Sequence, residues 1–377
     1  MHEDHERALT ALAARGRLRT LAPRGGIDFS SNDYLGLGAS AELSTAISDA
    51  LARGVPVGAG GSRLLRGNDP EHEALEGEAA AFFGAETALY MGGGFAANTA
   101  IFATLPQRGD LIVHDDLIHA SAHDGMRVSK AERVAAAHND VTAFRERIAA
   151  WRDRGGTGRV WIAIESLYSM EGDTAPMADF DALAREAGAM LIIDEAHATG
   201  IYGPEGRGIA HALEGQPHVV SLHTCGKALG VMGALVLGPR VLRDFLVNRA
   251  RPFIYATAPS PLMAAGVRAA LRLAMETDER RKALLARIAL FGDALRRQSG
   301  IVPTGTQIQP VIVKSDTRAV AMAAALQDKG FDVRAVRPPT VPEGTARLRV
   351  SLTLNASAED TVSLAGAIAR ELERNPP

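Results

Sequence analysis

From residue 87 onward, short unbroken runs of apolar residues alternate with longer stretches in which apolar positions recur every three or four residues. Short apolar runs predict strands buried on both faces, and the wider spacing predicts amphipathic helices. The strands predicted in this way lie at 87–91, 111–114, 133–136, 160–165, 190–194, 219–222 and 233–237, with helices at 96–105, 141–151 and 179–187 among those between them. Such alternation predicts an α/β fold, a mainly parallel seven-stranded sheet between helices. In sheets of this kind ligands gather at the carboxyl ends of the strands.

Before this region, an alanine-rich amphipathic pattern predicts a helix over 7–21, with Arg15, Arg17 and Arg19 as a solvated face, ending toward Pro23. A glycine-rich loop follows at 58–67, and Pro70 opens another helix. After it, a long helical stretch over 261–298 leads to strands at 310–313, 333–336 and 347–353 and helices at 319–329 and 358–374, a smaller α+β C-terminal domain. The expected division is 1–50 as an N-terminal helix and segment packing with the small domain, 51–260 as the large domain and 261–377 as the small one.

Composition narrows the function. The 377 residues carry 41 basic and 44 acidic side chains, a net charge of −3, so the basic surface that nucleic-acid binding requires is missing. The N-terminus lacks the order of a signal peptide and no apolar run has the roughly 18 residues of a membrane span, so a cytoplasmic protein without a membrane partner is expected. One cysteine, Cys225, forms neither an internal disulfide nor a thiolate cage, and packing is the role expected of it.

The candidate chemistry sits at the predicted strand ends. Lys227 follows the run at 219–222 in Thr224-Cys-Gly-Lys227, where partial burial would favour a neutral, nucleophilic amine. Met91-Gly-Gly-Gly-Phe-Ala-Ala-Asn98 ends a strand and opens a helix, leaving backbone N–H groups for a phosphate, although a turn needing small residues accounts for it equally well. Asp194 closes an apolar strand and requires a cationic partner, with His197 three residues on; a metal or a structural pair are the generic readings. His119 and His123 have the i,i+4 spacing of zinc ligands but lack the glutamate of the metalloprotease motif. Taken together, an imine-forming lysine, a buried carboxylate for a pyridinium nitrogen and a phosphate-holding helix start are the parts that pyridoxal phosphate needs, with no metal required.

These motifs, with Phe29-Ser-Ser-Asn-Asp-Tyr-Leu-Gly36, Asp194-Glu-Ala-His197 and Arg337-Pro-Pro-Thr-Val-Pro-Glu-Gly-Thr-Ala-Arg-Leu-Arg349, make the chain similar to the α-oxoamine synthase family of fold-type I pyridoxal-phosphate enzymes. The resemblance runs from about Phe29 to the last helix, and the final motif is most like the branch that condenses L-alanine with a pimeloyl thioester, on CoA or acyl-carrier protein, in biotin synthesis. It implies that Lys227 forms the imine and moves the α-proton, that Asp194 meets the pyridine nitrogen and His197 the ring hydroxyl, and that His119 stacks on the ring. It implies cofactor contacts from Gly94, Phe95, Ser169, Thr224 and Thr257, and substrate contacts from Asn32, Arg349, Thr340 and, among the N-terminal arginines, Arg19. The segments 60–63 and 255–257 resemble those that complete a neighbouring subunit's site, so a homodimer is expected, while the roles of Arg63 and Arg66 stay open. Other family members that join glycine or serine to a different acyl thioester are the alternative.

Overall fold

The computed structural model describes residues 1–21, 23–276 and 278–374. The chain forms two compact units, a smaller one of residues 1–34, 169–173 and 282–377, whose last three residues lie outside those described, and a larger one of residues 35–168 and 174–281. The divisions fall after Tyr34 and Arg281 rather than at 50/51 and 260/261, and a short excursion at Ser169–Asp173 belongs to the smaller unit. The physical reason is that helices flanking the expected boundaries pack inside the larger unit, Leu43 and Ala264 to Ala274 lying in one apolar cluster with its strands.

The smaller unit opens with α1 (Glu3–Ala14) and β1 (Ile27–Asp28). Helix α1 stops short of the expected 21 because Gly16 takes the left-handed conformation, φ 65°, which glycine adopts without steric cost.

The larger unit then contributes α2 (Ala41–Ala52), α3 (Pro70–Phe83), β2 (Thr87–Met91), α4 (Gly94–Thr104), β3 (Leu111–Asp115), α5 (Ala120–Val128), β4 (Glu132–Ala136), α6 (Val141–Asp153), β5 (Val160–Glu165), α7 (Met177–Ala187), β6 (Met190–Asp194), β7 (Val219–Thr224), β8 (Ala234–Gly238), α8 (Arg240–Arg249), α9 (Arg251–Ile254) and α10 (Pro261–Glu276). The seven strands form one sheet in the order β2-β8-β7-β6-β5-β3-β4. Only β8 runs against its neighbours, pairing antiparallel with both β2 and β7, so β2 and β7 point the same way and their carboxyl ends share one edge with those of β6, β5 and β3.

Alternation along the strands sends side chains to opposite faces. Ile112, Trp161, Ile192 and Val220 pack with Ile101, Phe102 and Met126 on one face, while Val113, Ile162, Leu191 and Val219 pack with Phe144, Phe180 and Leu183 on the other. Both faces are therefore covered, which is why these strands read as continuous apolar runs.

The chain continues through α11 (Asp278–Ser299), which the sequence pattern merges with α10 into one helix; Thr277, between them, lies outside the described residues. The smaller unit is completed by β9 (Ile308–Lys314), α12 (Asp316–Gln327), β10 (Phe331–Asp332), β11 (Arg334–Val336), β12 (Ala346–Ser351) and α13 (Ala358–Arg374). Its three-stranded antiparallel sheet has the order β11-β12-β9, and β1 pairs in parallel with β10. No helix among the described residues is long and apolar enough to cross a membrane.

Candidate active site

In the larger unit the predicted residues meet at the shared strand edge. Asp194 ends β6 at 7% exposure, and its carboxylate accepts from the Ala196 backbone N–H at 2.9 Å and from Asn98 Nδ2 at 2.7 Å. The same carboxylate acts electrostatically on His119, raising its pKa, so a buried anion sits at the centre of this strand edge.

Asn98 lies one turn into α4, after the glycine run. Its Nδ2 also donates to Ser121 Oγ at 3.0 Å, and Ser121 Oγ stands 2.7 Å from Nδ1 of His119. The Ser121 backbone N–H points at the same ring nitrogen at 3.2 Å, which makes His119 the N-cap of α5. A nitrogen that receives an N–H carries no proton of its own, so the neutral His119 ring bears its hydrogen on Nε2. Burial lowers the His119 pKa below the ordinary histidine value, Lys227 lowers it further, and Asp194 opposes them. His123, its i,i+4 neighbour, is engaged elsewhere, edge-on to His114 at 5.1 Å between ring centroids.

Thr224 ends β7, and its hydroxyl donates to the Ala196 carbonyl at 3.1 Å, tying the strand that leads to Lys227 to the turn that carries His197. A β-carbon on Gly94 would lie 2.7 Å from Thr224 Cγ2, so only glycine lets the start of α4 approach this strand end. Gly93 caps α4 without a side-chain hydrogen bond, which leaves the first-turn N–H groups facing outward beside that contact. His197 is buried and Lys227 half-buried.

The smaller unit holds the second cluster. Arg349, on β12 at 8% exposure, donates to the Ser169 carbonyl at 2.7 Å, Ser351 Oγ at 2.7 Å, Asn32 Oδ1 at 3.2 Å and Tyr34 Oη at 3.4 Å. Every acceptor is neutral. Arg347, two positions earlier on the same strand face, has its own carboxylate, Glu171, at 2.9 Å. Arg349 is thus a buried guanidinium still lacking an anion, the condition of a carboxylate receptor. Arg19 reaches Thr340 Oγ1 at 3.4 Å, both exposed.

One expectation changes, and one role left open is filled. Arg17 is not part of a solvated face, since its guanidinium is consumed by Asp316 and Glu343. Arg63 is buried and structural, paired with Glu76 at 2.9 Å while Glu76 accepts the Tyr90 backbone N–H at 2.8 Å. Thr257 and Phe95 have exposed side chains; the 255–258 segment joins the glycine-rich loop through Ala258 N–H to the Gly61 carbonyl at 2.9 Å. Sequence reasoning gave no role to Asn98 or Ser121. The signal for Asn98 was its i,i+4 offset from Gly94, which puts it on the same helix face; nothing in the sequence marked Ser121.

With this geometry established, similarity to known proteins is decisive. The model of the aminotransferase class I and II family matches residues 24–368. An 8-amino-7-oxononanoate synthase from Anaeromyxobacter sp. (strain K) is 40% identical over 384 aligned positions, covering 98% of this chain and 95% of that protein. The chain belongs to the 8-amino-7-oxononanoate synthase family of class I and II aminotransferases. Among solved structures, a serine palmitoyltransferase from S. paucimobilis with bound PLP–myriocin matches 99% of this chain and 98% of its own at 25% identity and a TM-score of 0.87. An 8-amino-7-oxononanoate synthase from Francisella tularensis matches 93% and 98% at 27% identity and a TM-score of 0.75. The chain therefore has the fold of the type I pyridoxal-phosphate enzymes, as its mainly parallel seven-stranded sheet predicts.

Proposed function

We propose that this protein is a pyridoxal-phosphate-dependent acyltransferase that condenses L-alanine with a pimeloyl thioester, on CoA or acyl-carrier protein, to give 8-amino-7-oxononanoate, the free thiol and carbon dioxide in biotin biosynthesis. The observation that carries the cofactor is Asp194, a buried carboxylate at the end of β6 bonded to Asn98 one turn after the glycine-run start of α4. The substrates rest on the relatives at about 40% identity over nearly the whole chain. The greater structural likeness to a serine palmitoyltransferase reflects a shared fold, and substrate choice resides in side chains rather than in the fold.

Pyridoxal phosphate, when bound, supplies an aldehyde that condenses with amines and a ring that accepts the electron pair left on an amino-acid α-carbon. Asp194 would hold the proton on the ring nitrogen, His197 would meet the ring hydroxyl, and the first N–H groups of α4 at Gly94 and Phe95 would receive the phosphate, with Thr224, Ser169 and Thr257 as further contacts. Arg349 takes the alanine carboxylate with Asn32 beside it. Lys227 is the amine that would hold the aldehyde, and its free amine would take the α-proton of alanine. The α-carbon would then attack the thioester carbonyl and the thiolate would leave as the C–S bond breaks; the carboxylate would depart as carbon dioxide, and the electron pair left on that carbon would take back a proton from Lys227. His119, its Nε2 bearing the hydrogen, donates to the carbonyl oxygen of the newly formed ketone, which favours that loss. Arg19 and Thr340 meet the acyl donor. The exposed Leu64, Leu65 and Tyr255 belong to the two joined loops proposed to meet a second copy in a homodimer.

The test is thiol release with alanine, glycine and serine against pimeloyl, succinyl, acetyl and palmitoyl thioesters. Alanine with the pimeloyl donor is expected to give the highest kcat/KM, and a different preferred pair overturns the reading.

A further inference from the structure

Among the described residues of the first 26, every side chain is exposed except that of Arg17, and Gly16 is likewise half-buried. Arg17 keeps 19% of its side-chain surface and spends it on two carboxylates. Its Nε donates to Asp316 at 2.7 Å, at the start of α12, and its Nη1 and Nη2 donate to the two Glu343 oxygens at 2.9 and 2.6 Å. The fork-to-fork geometry with Glu343 fixes orientation as well as distance. Arg337 donates to the Gly16 carbonyl, and Arg19 Nη2 reaches Thr340, so three successive points of the 16–19 segment are fastened to one loop of the smaller unit. The bonds to Glu343 and Asp316 raise the Arg17 pKa still further, and Arg17 lowers that of Glu343.

The two arginines are thereby separated in function. Arg17 commits three of its five N–H groups, one on each nitrogen, to two carboxylates that balance its charge, whereas Arg19 is exposed and reaches a hydroxyl. No apolar side chain of the segment is buried to hold it in place. We propose that Arg17 is a positioning residue for acyl-donor specificity: its ion pairs with Glu343 and Asp316 hold Arg19 beside Thr340, where Arg19 reads the terminal carboxylate of an ω-carboxyacyl thioester. The proposal rests on the assignment of a pimeloyl thioester as donor. It removes Arg17 as an alternative to Arg19 for that contact.

The experiment uses the full-length holoenzyme and two donors of equal chain length, pimeloyl-CoA and heptanoyl-CoA, the second lacking the terminal carboxylate. KM and kcat are measured for each donor and for alanine in the wild type, Arg17→Ala, Glu343→Gln, the double variant and Arg17→Lys, with thermal melting of each. Arg17→Ala is expected to raise KM for pimeloyl-CoA about tenfold with kcat nearly unchanged, the signature of lost binding rather than lost chemistry. KM for alanine and for heptanoyl-CoA stays put, the double variant is no worse than Arg17→Ala, and Arg17→Lys recovers part of the loss because an ammonium keeps one ion pair. If the wild type prefers pimeloyl-CoA and Arg17→Ala keeps that preference, or loses affinity for both donors alike, the proposal fails and the donor assignment stands. A wild type that does not distinguish the two donors overturns both. Should Arg17→Ala melt far below the wild type, Glu343→Gln, which leaves the Asp316 pair in place, decides on the same readouts.

Discussion

Asn98 Nδ2 lies 2.7 Å from Asp194 Oδ2, so the helix that begins at the glycine run is bonded to the carboxylate at the end of β6. The same amide supports Ser121, and through it His119, so one side chain orients two groups of the site. Asn98→Ala is expected to weaken pyridoxal-phosphate binding about tenfold, read as the cofactor concentration needed to develop absorbance near roughly 420 nm. Unchanged affinity in a folded variant would remove Asn98 from the site.

Lys227→Ala should abolish that absorbance band while leaving the fold intact, and cut turnover by roughly three orders of magnitude or more, as loss of a covalent and proton-moving group does. A variant that keeps the band would move the imine to another amine.

Arg349 has only neutral partners, so its loss should be felt by the substrate that brings the anion. Arg349→Lys is expected to raise KM for alanine about tenfold and Arg349→Ala about a hundredfold, a lysine keeping charge but not the fork. Parallel titration of the pimeloyl donor is the control; an equal rise in its KM would contradict the assignment.

The pH response follows from buried histidines. Burial holds His119, and likewise His72, His114 and His123, below the ordinary histidine value. As pH falls through ~6.5 the unfolded chain takes up these protons before the folded one does, so folded stability drops with pH in that window. His123→Gln removes one such group outside the proposed chemistry, and its melting temperature should fall less than that of the wild type between pH ~7 and ~5.5. Equal slopes would show that His123 does not contribute.

Burial pushes the Cys225 thiol far above its ordinary value, and the residue packs among Leu229, Leu235 and Tyr90. It should resist a thiol reagent in the folded protein and react stoichiometrically after denaturation. Cys225→Ser, which buries a hydroxyl in an apolar cluster, is expected to cost about 1–3 kcal/mol in denaturant unfolding. Rapid labelling of the native protein would place the thiol at the surface.

Much of the larger unit was legible because its strands are buried on both faces: β2, β5 and β6 begin and end where the apolar runs do. Lys227 and Asp194 were legible as strand-end positions for the same reason, whereas His119 stood out in the sequence only as one of an i,i+4 pair and through the family resemblance. Less visible were features set by tertiary contact. Arg17 reads as one basic residue on an amphipathic helix, and only its pairing with Asp316 and Glu343, some 300 positions away, shows that it anchors the segment. Ser121 has no sequence signature, since a serine near a helix start is usually a local cap. The placement of α2 and α10 with the larger unit is set by packing, since Leu43 and the 264–274 residues join the apolar cluster of its strands.

The antiparallel strand β8 has a consequence for assembly. Because β8 lies between β2 and β7, the glycine run after Met91 and the strand leading to Lys227 become neighbours only when a segment still later in the chain, Ala234–Gly238, is inserted between them. Contacts this distant in sequence form late and slowly. The strand before the glycine run and the strand that leads to Lys227 are therefore brought together by the last strand of the sheet to be synthesised, and a nascent chain that ends before β8 leaves the two without the strand that joins them.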